Sequence, residues 1–278
     1  MIFLNPRTDI TFKRLFGTIE NKSIVIDFLN SILGRSGDSL IVDVMMNDTN
    51  NIPITNAAKY SIVDIRCRDQ AGNRYIVEMQ VSTEHDYAMR AQYYSSFALS
   101  SQLTAGAKYF TLEPVIFVGV LNFDLFTNKR NYMSHHYIID SQTGERDLRC
   151  LEFHFIELPK FHKTIDELDT NFDKWIYFLQ NAEEYSEIPE QLNREPLKEA
   201  FHVLERSGWP IADFEAYRSQ LDKIRVEQNV LESAHAEGLQ KGQRLLLQQM
   251  LRRTSIEEIA RITGLTEVEL KKLKDEPA

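Results

Sequence analysis

Apolar and polar positions follow two rhythms along this 278-residue chain: strand-like runs dominate to about residue 158, and helical spacing takes over from about residue 170. Ile24, Val25, Phe28, Leu29, Ile32 and Leu33 recur in an i, i+1, i+4, i+5 pattern, which predicts an amphipathic helix over 21–33 that stops at Gly34 and packs on a sheet. A strand is expected over 40–46. The runs 60–68 and 74–81 are rich in Val, Ile and Tyr, and the polar stretch 69–73 between them holds Gly and Asn, so they read as an antiparallel hairpin. A helix follows over about 86–105. Residues 114–123 are almost uninterrupted in apolar character, the mark of a central strand buried on both faces. Residues 135–140 and 151–158 alternate around a turn at Gly144 and predict a second hairpin toward the sheet edge.

Helices are expected at about 171–182, 196–206 and 211–250. The last is too long for an ordinary globular helix, so Gly238 and Gly242 are expected to punctuate it. Ser255 with Glu258, and Thr266 with Glu269, each form a capping-box pattern, and Gly264 lies between them. Two short helices joined through a glycine make a helix-turn-helix-like pair. The fold class is therefore α/β with an α-helical C-terminal region. Three segments are expected: a core over 1–165, a helical region and long linker helix over 166–250, and the small C-terminal pair over 251–278.

Composition narrows the class. A formal charge of −9 argues against a protein that coats nucleic acid uniformly, because phosphate binding needs local Lys and Arg excess, but it is compatible with a local basic channel. Two cysteines, Cys67 and Cys150, are too few for a disulfide framework. No run approaches the roughly eighteen apolar residues of a membrane span, and Met1–Leu4 meets Asn5-Pro6-Arg7 too soon for a signal peptide. A soluble, cytoplasmic protein with no membrane partner is expected.

The hairpin carries the chemistry. A five-residue loop places Arg68 opposite Arg74, and counting back by twos brings Asp64 opposite Glu78 and Ile62 opposite Gln80. Side chains alternate, so Glu78 and Gln80 share a face with Asp64. Two opposed carboxylates destabilise a strand pair unless something neutralises them. A divalent cation is one answer, since carboxylate and amide oxygens are the hard ligands that Mg²⁺ or Mn²⁺ prefers. The other is that both acids face solvent, or that one pairs with an arginine such as Arg66. The spacing leaves both open.

Asp64, thirteen residues, then Glu78-Met79-Gln80 resembles the D…(D/E)xK core of restriction-endonuclease-like phosphodiesterases, with Gln in the Lys position. Asp9-Ile10-Thr11-Phe12-Lys13-Arg14-Leu15-Phe16-Gly17, then Phe28 through Leu33, resembles the start of the Rpn family of recombination-promoting nucleases, also described as PD-(D/E)XK nuclease family transposases. Met89 through Tyr94, on to Gln102-Leu103, is similar to that family's helix after the catalytic hairpin, and Glu237–Gly242 to its C-terminal linker helix. The resemblance implies a restriction-endonuclease-like core, a mixed central sheet flanked by helices. It also implies a metal-dependent DNA endonuclease that promotes recombination or transposition-like events. Asp64, Glu78 and Gln80 are then catalytic, with Asp64 and Glu78 holding Mg²⁺ (or Mn²⁺). Glutamine is usual in this branch; it can orient a water by hydrogen bonds but cannot act as a general base.

Other positions keep two readings. Asp9 falls where the resemblance adds an acidic metal ligand, and equally reads as a helix N-cap. Lys13 and Arg14, near Arg7, are either phosphate contacts or plain surface charges. Arg90, Gln92 and Tyr94 lie on the helix after the hairpin; Arg90 and Tyr94 share a face suited to nucleic acid, with Tyr93 and Phe97 packing inward. His135, His136, His154 and His162 lack zinc-ligand spacing and read as surface residues of an edge strand. The C-terminal pair is an accessory DNA-binding or self-association element, or a plain appendage, and a homodimer would suit double-strand cutting. Two rival functions stand beside the nuclease: a catalytically inactive nucleic-acid-binding or protein-interaction module of the same fold, and a toxin-like nuclease.

Overall fold

The computed structural model describes residues 3–46, 65–82, 86–104 and 106–275. The chain forms two compact units, Met1–Leu221 and Asp222–Ala278.

The first unit opens with α1 (Asp9–Phe16) and α2 (Lys22–Leu33). Helix α2 buries the stripe Ile24, Val25, Phe28, Leu29 and Ile32 and ends at Gly34, whose φ of 59° is the left-handed conformation that releases a helix. Strand β1 (Val44–Met46) is shorter than the expected 40–46. The preceding backbone is held by side chains instead of a ladder. Asn30 bonds both the N–H and the C=O of Ile41, and Gln70 bonds the N–H of Val42 and the C=O of Leu40.

Strands β2 (Ile65–Asp69) and β3 (Arg74–Gln80) pair antiparallel with Arg68 opposite Arg74, the expected register. Gly72, at φ +91°, makes the turn possible. Asp69 holds the turn: its carboxylate accepts from the backbone of Ala71 and Asn73, the Asn73 amide and the Tyr75 hydroxyl. Helix α3 (Tyr87–Ser100) then crosses to β4 (Val115–Leu121), which runs parallel to β3. All seven residues of β4 are buried, as expected of a central strand.

Strands β5 (Met133–Tyr137) and β6 (Leu151–Glu157) form the second hairpin, with β6 parallel to β4 and β5 at the edge. The mixed sheet has the order β1-β2-β3-β4-β6-β5. Helices α4 (Asn171–Asn181) and α5 (Leu197–Leu204) join α1 and α2 in the main core on one face, where Phe16, Phe28, Trp175, Phe178 and Phe201 are fully buried. Helix α3 covers the other face, with its Tyr87 and Ala91 clustered against Phe117 of β4 and Phe155 of β6. The fold is the expected α/β sandwich.

Helix α6 (Ile211–Leu251) is one continuous helix of 41 residues, so the expected breaks at Gly238 and Gly242 do not occur. Each glycine costs only about 1 kcal/mol in a helix, and neither is strained nor crowded. In the second unit, α7 (Ile256–Thr263) has the Ser255 N-cap but only that half of the expected box, and α8 (Glu267–Asp275) has the reciprocal pair expected of Thr266 and Glu269. The Ser255 hydroxyl accepts from Glu258 N–H, Gly264 has φ +75°, and Thr266 and Glu269 bond reciprocally. Leu251, Ile259 and Leu270 form the buried centre of this unit. Among the described residues no helix is long and apolar enough to cross a membrane.

Candidate active site

The site lies on the α3 face of β3. Strand alternation sends Ile76, Glu78 and Gln80 toward α3 and Val77 and Met79 into the main core. Glu78 is 6% exposed. One nitrogen of Arg90, Nη2, donates to Glu78 Oε1 at 2.9 Å and to Gln80 Oε1 at 2.8 Å. The two side-chain oxygens thus converge on a single cationic nitrogen. An isolated carboxylate at this depth would cost several kcal/mol of desolvation, on the order given for buried ions, so the position demands a positive charge. The Gln80 amide also donates to Ser82 C=O at 3.2 Å, which turns its oxygen toward Arg90.

Arg90 is itself placed by aromatic rings. Its guanidinium sits 4.9 Å from the Tyr87 ring centre and 6.0 Å from that of Tyr94. Tyr87, Arg90 and Tyr94 follow i, i+3, i+7 spacing and so share a helix face. Tyr87 is fully buried, edge-on to Phe117, Phe123 and Phe155. The close approach of α3 depends on Gly119 of β4, which lies beside Glu78 in the register. A Cβ there would stand 2.9 Å from the Tyr87 hydroxyl and 3.0 Å from Phe155. Tyr87 and Gly119 were not singled out by sequence reasoning, although the 87/90/94 spacing was available to reveal the first.

The expected site residues separate into groups. Glu78, Gln80 and Arg90 come together, with Tyr94 beside them. Asp64, the expected carboxylate partner, lies outside the described residues. Glu78 has Arg90, not Arg66, as its arginine; Arg66 opposes Ile76, and burial lowers its pKa. Asp9 is not the N-cap of α1: Thr8 is, accepting from Thr11 N–H, while Asp9 is exposed and accepts from Gln220 at 3.4 Å. Arg14 is engaged elsewhere, 3.1 Å from Asp213 and stacked 4.4 Å over Trp209. Lys13 lies half-buried in the last turn of α1. Arg7 bonds Glu183, Asn5 and Asn122. Gln92 is exposed and donates to Ala88 C=O of its own helix. Tyr93, expected to pack inward, is 45% exposed, because the buried stripe of α3 is Tyr87, Ala91 and Ser95.

Of the histidines expected at the surface, His135 on the edge strand β5 and His162 are exposed, whereas His154 departs from expectation. His154 is buried at 2% exposure, and its Nδ1 lies 2.7 Å from Nδ1 of His135. Its Nε2 lies 3.4 Å from Glu152, which in turn is paired with Arg146. β6 is covered on both faces, so an alternating strand near the edge is not a surface strand. Partial desolvation against its neighbours, then the adjacent His154, pushes the His135 pKa down. Burial, then Lys129, does the same for His136. Despite burial, the bonds to His154 and Arg146 keep the Glu152 carboxyl below its ordinary value. Among the described residues no three or more His, Cys, Asp or Glu side chains converge as a metal cage.

The first unit is thus an α/β core, a mixed six-stranded sheet flanked by helices with Glu78 and Gln80 on the α3 face of β3. The family model of the PD-(D/E)XK nuclease family transposases matches residues 6–234, and the chain belongs to that family. Its members are nucleases that typically use divalent metal ions. No curated protein and no solved structure shows a significant match to the chain.

Proposed function

We propose that this protein is a metal-dependent DNA endonuclease that hydrolyses phosphodiester bonds and promotes recombination or transposition-like events. The observation that carries the reading is the convergence of Glu78 Oε1 and Gln80 Oε1 on one cationic nitrogen. Arg90 Nη2 stands where a hard cation would find two oxygen donors, and carboxylate plus carboxamide is the donor chemistry of Mg²⁺ or Mn²⁺. Asp64 and Glu78 would hold the ion, with Asp9 a further acidic candidate from the resemblance; when bound, the ion polarises the scissile phosphate and lowers the pKa of a water.

The protein's own groups do the rest. Gln80, lacking the ammonium of the Lys in the family motif, orients a water through its carboxamide without taking its proton. Arg90, held against the Tyr87 ring, neutralises Glu78 in the resting site and donates to phosphate oxygens when the acids are otherwise engaged. Tyr94 lies beside it on α3, while Gln92, on another face of α3, and Lys13 and Arg14 are the further nucleic-acid-contact candidates. The site is predicted to cleave plasmid DNA with Mg²⁺, and Asp64→Ala or Glu78→Ala is predicted to abolish cleavage while the far-UV spectrum stays unchanged. Equal cleavage by both variants refutes the assignment.

The Glu78–Arg90 pair supports one rival: an inactive binding module in which the guanidinium has taken the cation's place permanently. That rival requires salt-sensitive DNA binding with no cleavage under Mg²⁺ or Mn²⁺.

A further inference from the structure

The second unit uses only one side of α6 for itself. Leu247, Met250 and Leu251 face α7 and α8 and pack around Ile259 and Leu270. At 100° per residue, the opposite side is drawn by Leu231, Ala234, Gly238, Gly242 and Leu245, and every one of these is exposed. Leu231 is 51% exposed and Leu245 49%, with Val230 at 62% and Leu246 at 59% on their flanks. Four large apolar side chains along one helix face form a coherent surface, not scattered exposure.

Their spacing is a palindrome. From Leu231 the steps are 3, 4, 4 and 3 residues, so the pattern reads the same in both directions about Gly238. The next positions on the face, Glu227 and Gln249, are each eleven residues from Gly238, and both are polar. A face with this symmetry is complementary to itself when reversed.

We propose that this face of α6 binds the same face of a second copy of the chain, antiparallel, with Gly238 at the two-fold axis. Leu231 of each copy then packs on Leu245 of the other, Ala234 lies against Gly242, and the missing side chains at Gly238 and Gly242 let the backbones approach. Charge selects this direction over the parallel one. Glu237 and Lys241 lie on one flank of the face and form an exposed pair at 3.7 Å within the chain. In an antiparallel pair like flanks meet, so Lys241 of each copy reaches Glu237 of the other. In a parallel pair that flank meets His235, Leu239 and Leu246, and no opposite charges meet.

The test uses the full-length protein. Light scattering is expected to return twice the 32.4 kDa chain mass, and Leu231→Glu is expected to return the single mass. Lys241→Glu alone is expected to weaken the dimer about tenfold, with Glu237→Lys added to it restoring the affinity. Positions 231 and 245 of one copy are about 21 Å apart along the helix. In a Cys150→Ser background, oxidation therefore cross-links copies only when Leu231→Cys and Leu245→Cys are combined. Cross-linking by Leu231→Cys alone overturns the antiparallel pairing. A single-chain mass for the wild type overturns self-association altogether and leaves the face to a different partner.

Discussion

On the α3 face of the sheet Glu78 and Gln80 share one guanidinium, whereas near the β5 edge Arg146, Glu152, His154 and His135 contact one another in a chain. Both clusters centre on a buried ionisable group of a strand, Glu78 in one and His154 in the other. They differ in what the groups face. In the edge cluster the groups alternate in kind, arginine against carboxylate, carboxylate against imidazole and imidazole against imidazole, so each contact joins complementary partners. In the α3 cluster, two oxygen donors of the kind that bind hard cations point at the same place, and an arginine occupies it. Buried polarity alone therefore does not set the two clusters apart; convergence of two oxygen donors does.

Removing a member of the edge chain is expected to cost the most stability and the least activity. His154→Ala should lower stability by about 2–4 kcal/mol, the range for truncating a large buried side chain within a network, and leave DNA cleavage within about twofold. Loss of cleavage in a folded His154→Ala protein would erase the distinction between the clusters. Arg90→Ala should cost about 1–3 kcal/mol, less than a fully buried pair because the arginine is 22% exposed. Unlike the edge variant, it should regain melting temperature when Mg²⁺ is added, because a cation again faces Glu78. Gly119→Ala should cost about 1–2 kcal/mol by overpacking against Tyr87, and should impair cleavage more than its stability loss explains.

The smallest effect concerns pH. The folded protein holds His135 below its ordinary pKa of 6.5. The neutral ring is thus favoured in the fold, and the unfolded chain binds the proton first as pH falls. Stability from this group is complete above about pH 6.5 and drains away as pH drops through the lower folded value. His135→Gln should show a smaller drop in melting temperature between pH 7.5 and 5.5 than the wild type. An equal drop places the sensitivity elsewhere.

Local chemistry made much of this legible. The loop of residues 69–73 fixed the β2–β3 register because a Gly that accepts positive φ and an Asp that binds its own turn leave few alternatives, and the apolar run at 114–123 could only be central. The Glu78 and Gln80 face followed from the same register. What stayed hidden was contact between distant segments. Nothing local to Arg90 says that its partner is Glu78, and nothing in a buried strand says that Gly119 makes room for Tyr87. Asp9 failed as a cap because Thr8, one residue earlier, accepts the first-turn N–H. The inward face of α3 was misjudged at Tyr93 because three aromatic residues lie close together in sequence and only packing chooses among them.

The central claim is that Glu78 and Gln80 form a cation-dependent cleavage site, and a plasmid-nicking series tests it most directly. Wild-type protein is assayed after exhaustive chelation, then with Mg²⁺, Mn²⁺ and Ca²⁺, beside Glu78→Gln under identical conditions. The site requires no cleavage without metal, recovery with Mg²⁺ or Mn²⁺, and loss of at least about 100-fold in Glu78→Gln, on the scale of removing an essential charge-stabilising group. Cleavage that survives chelation, or that Glu78→Gln retains in full, would contradict it.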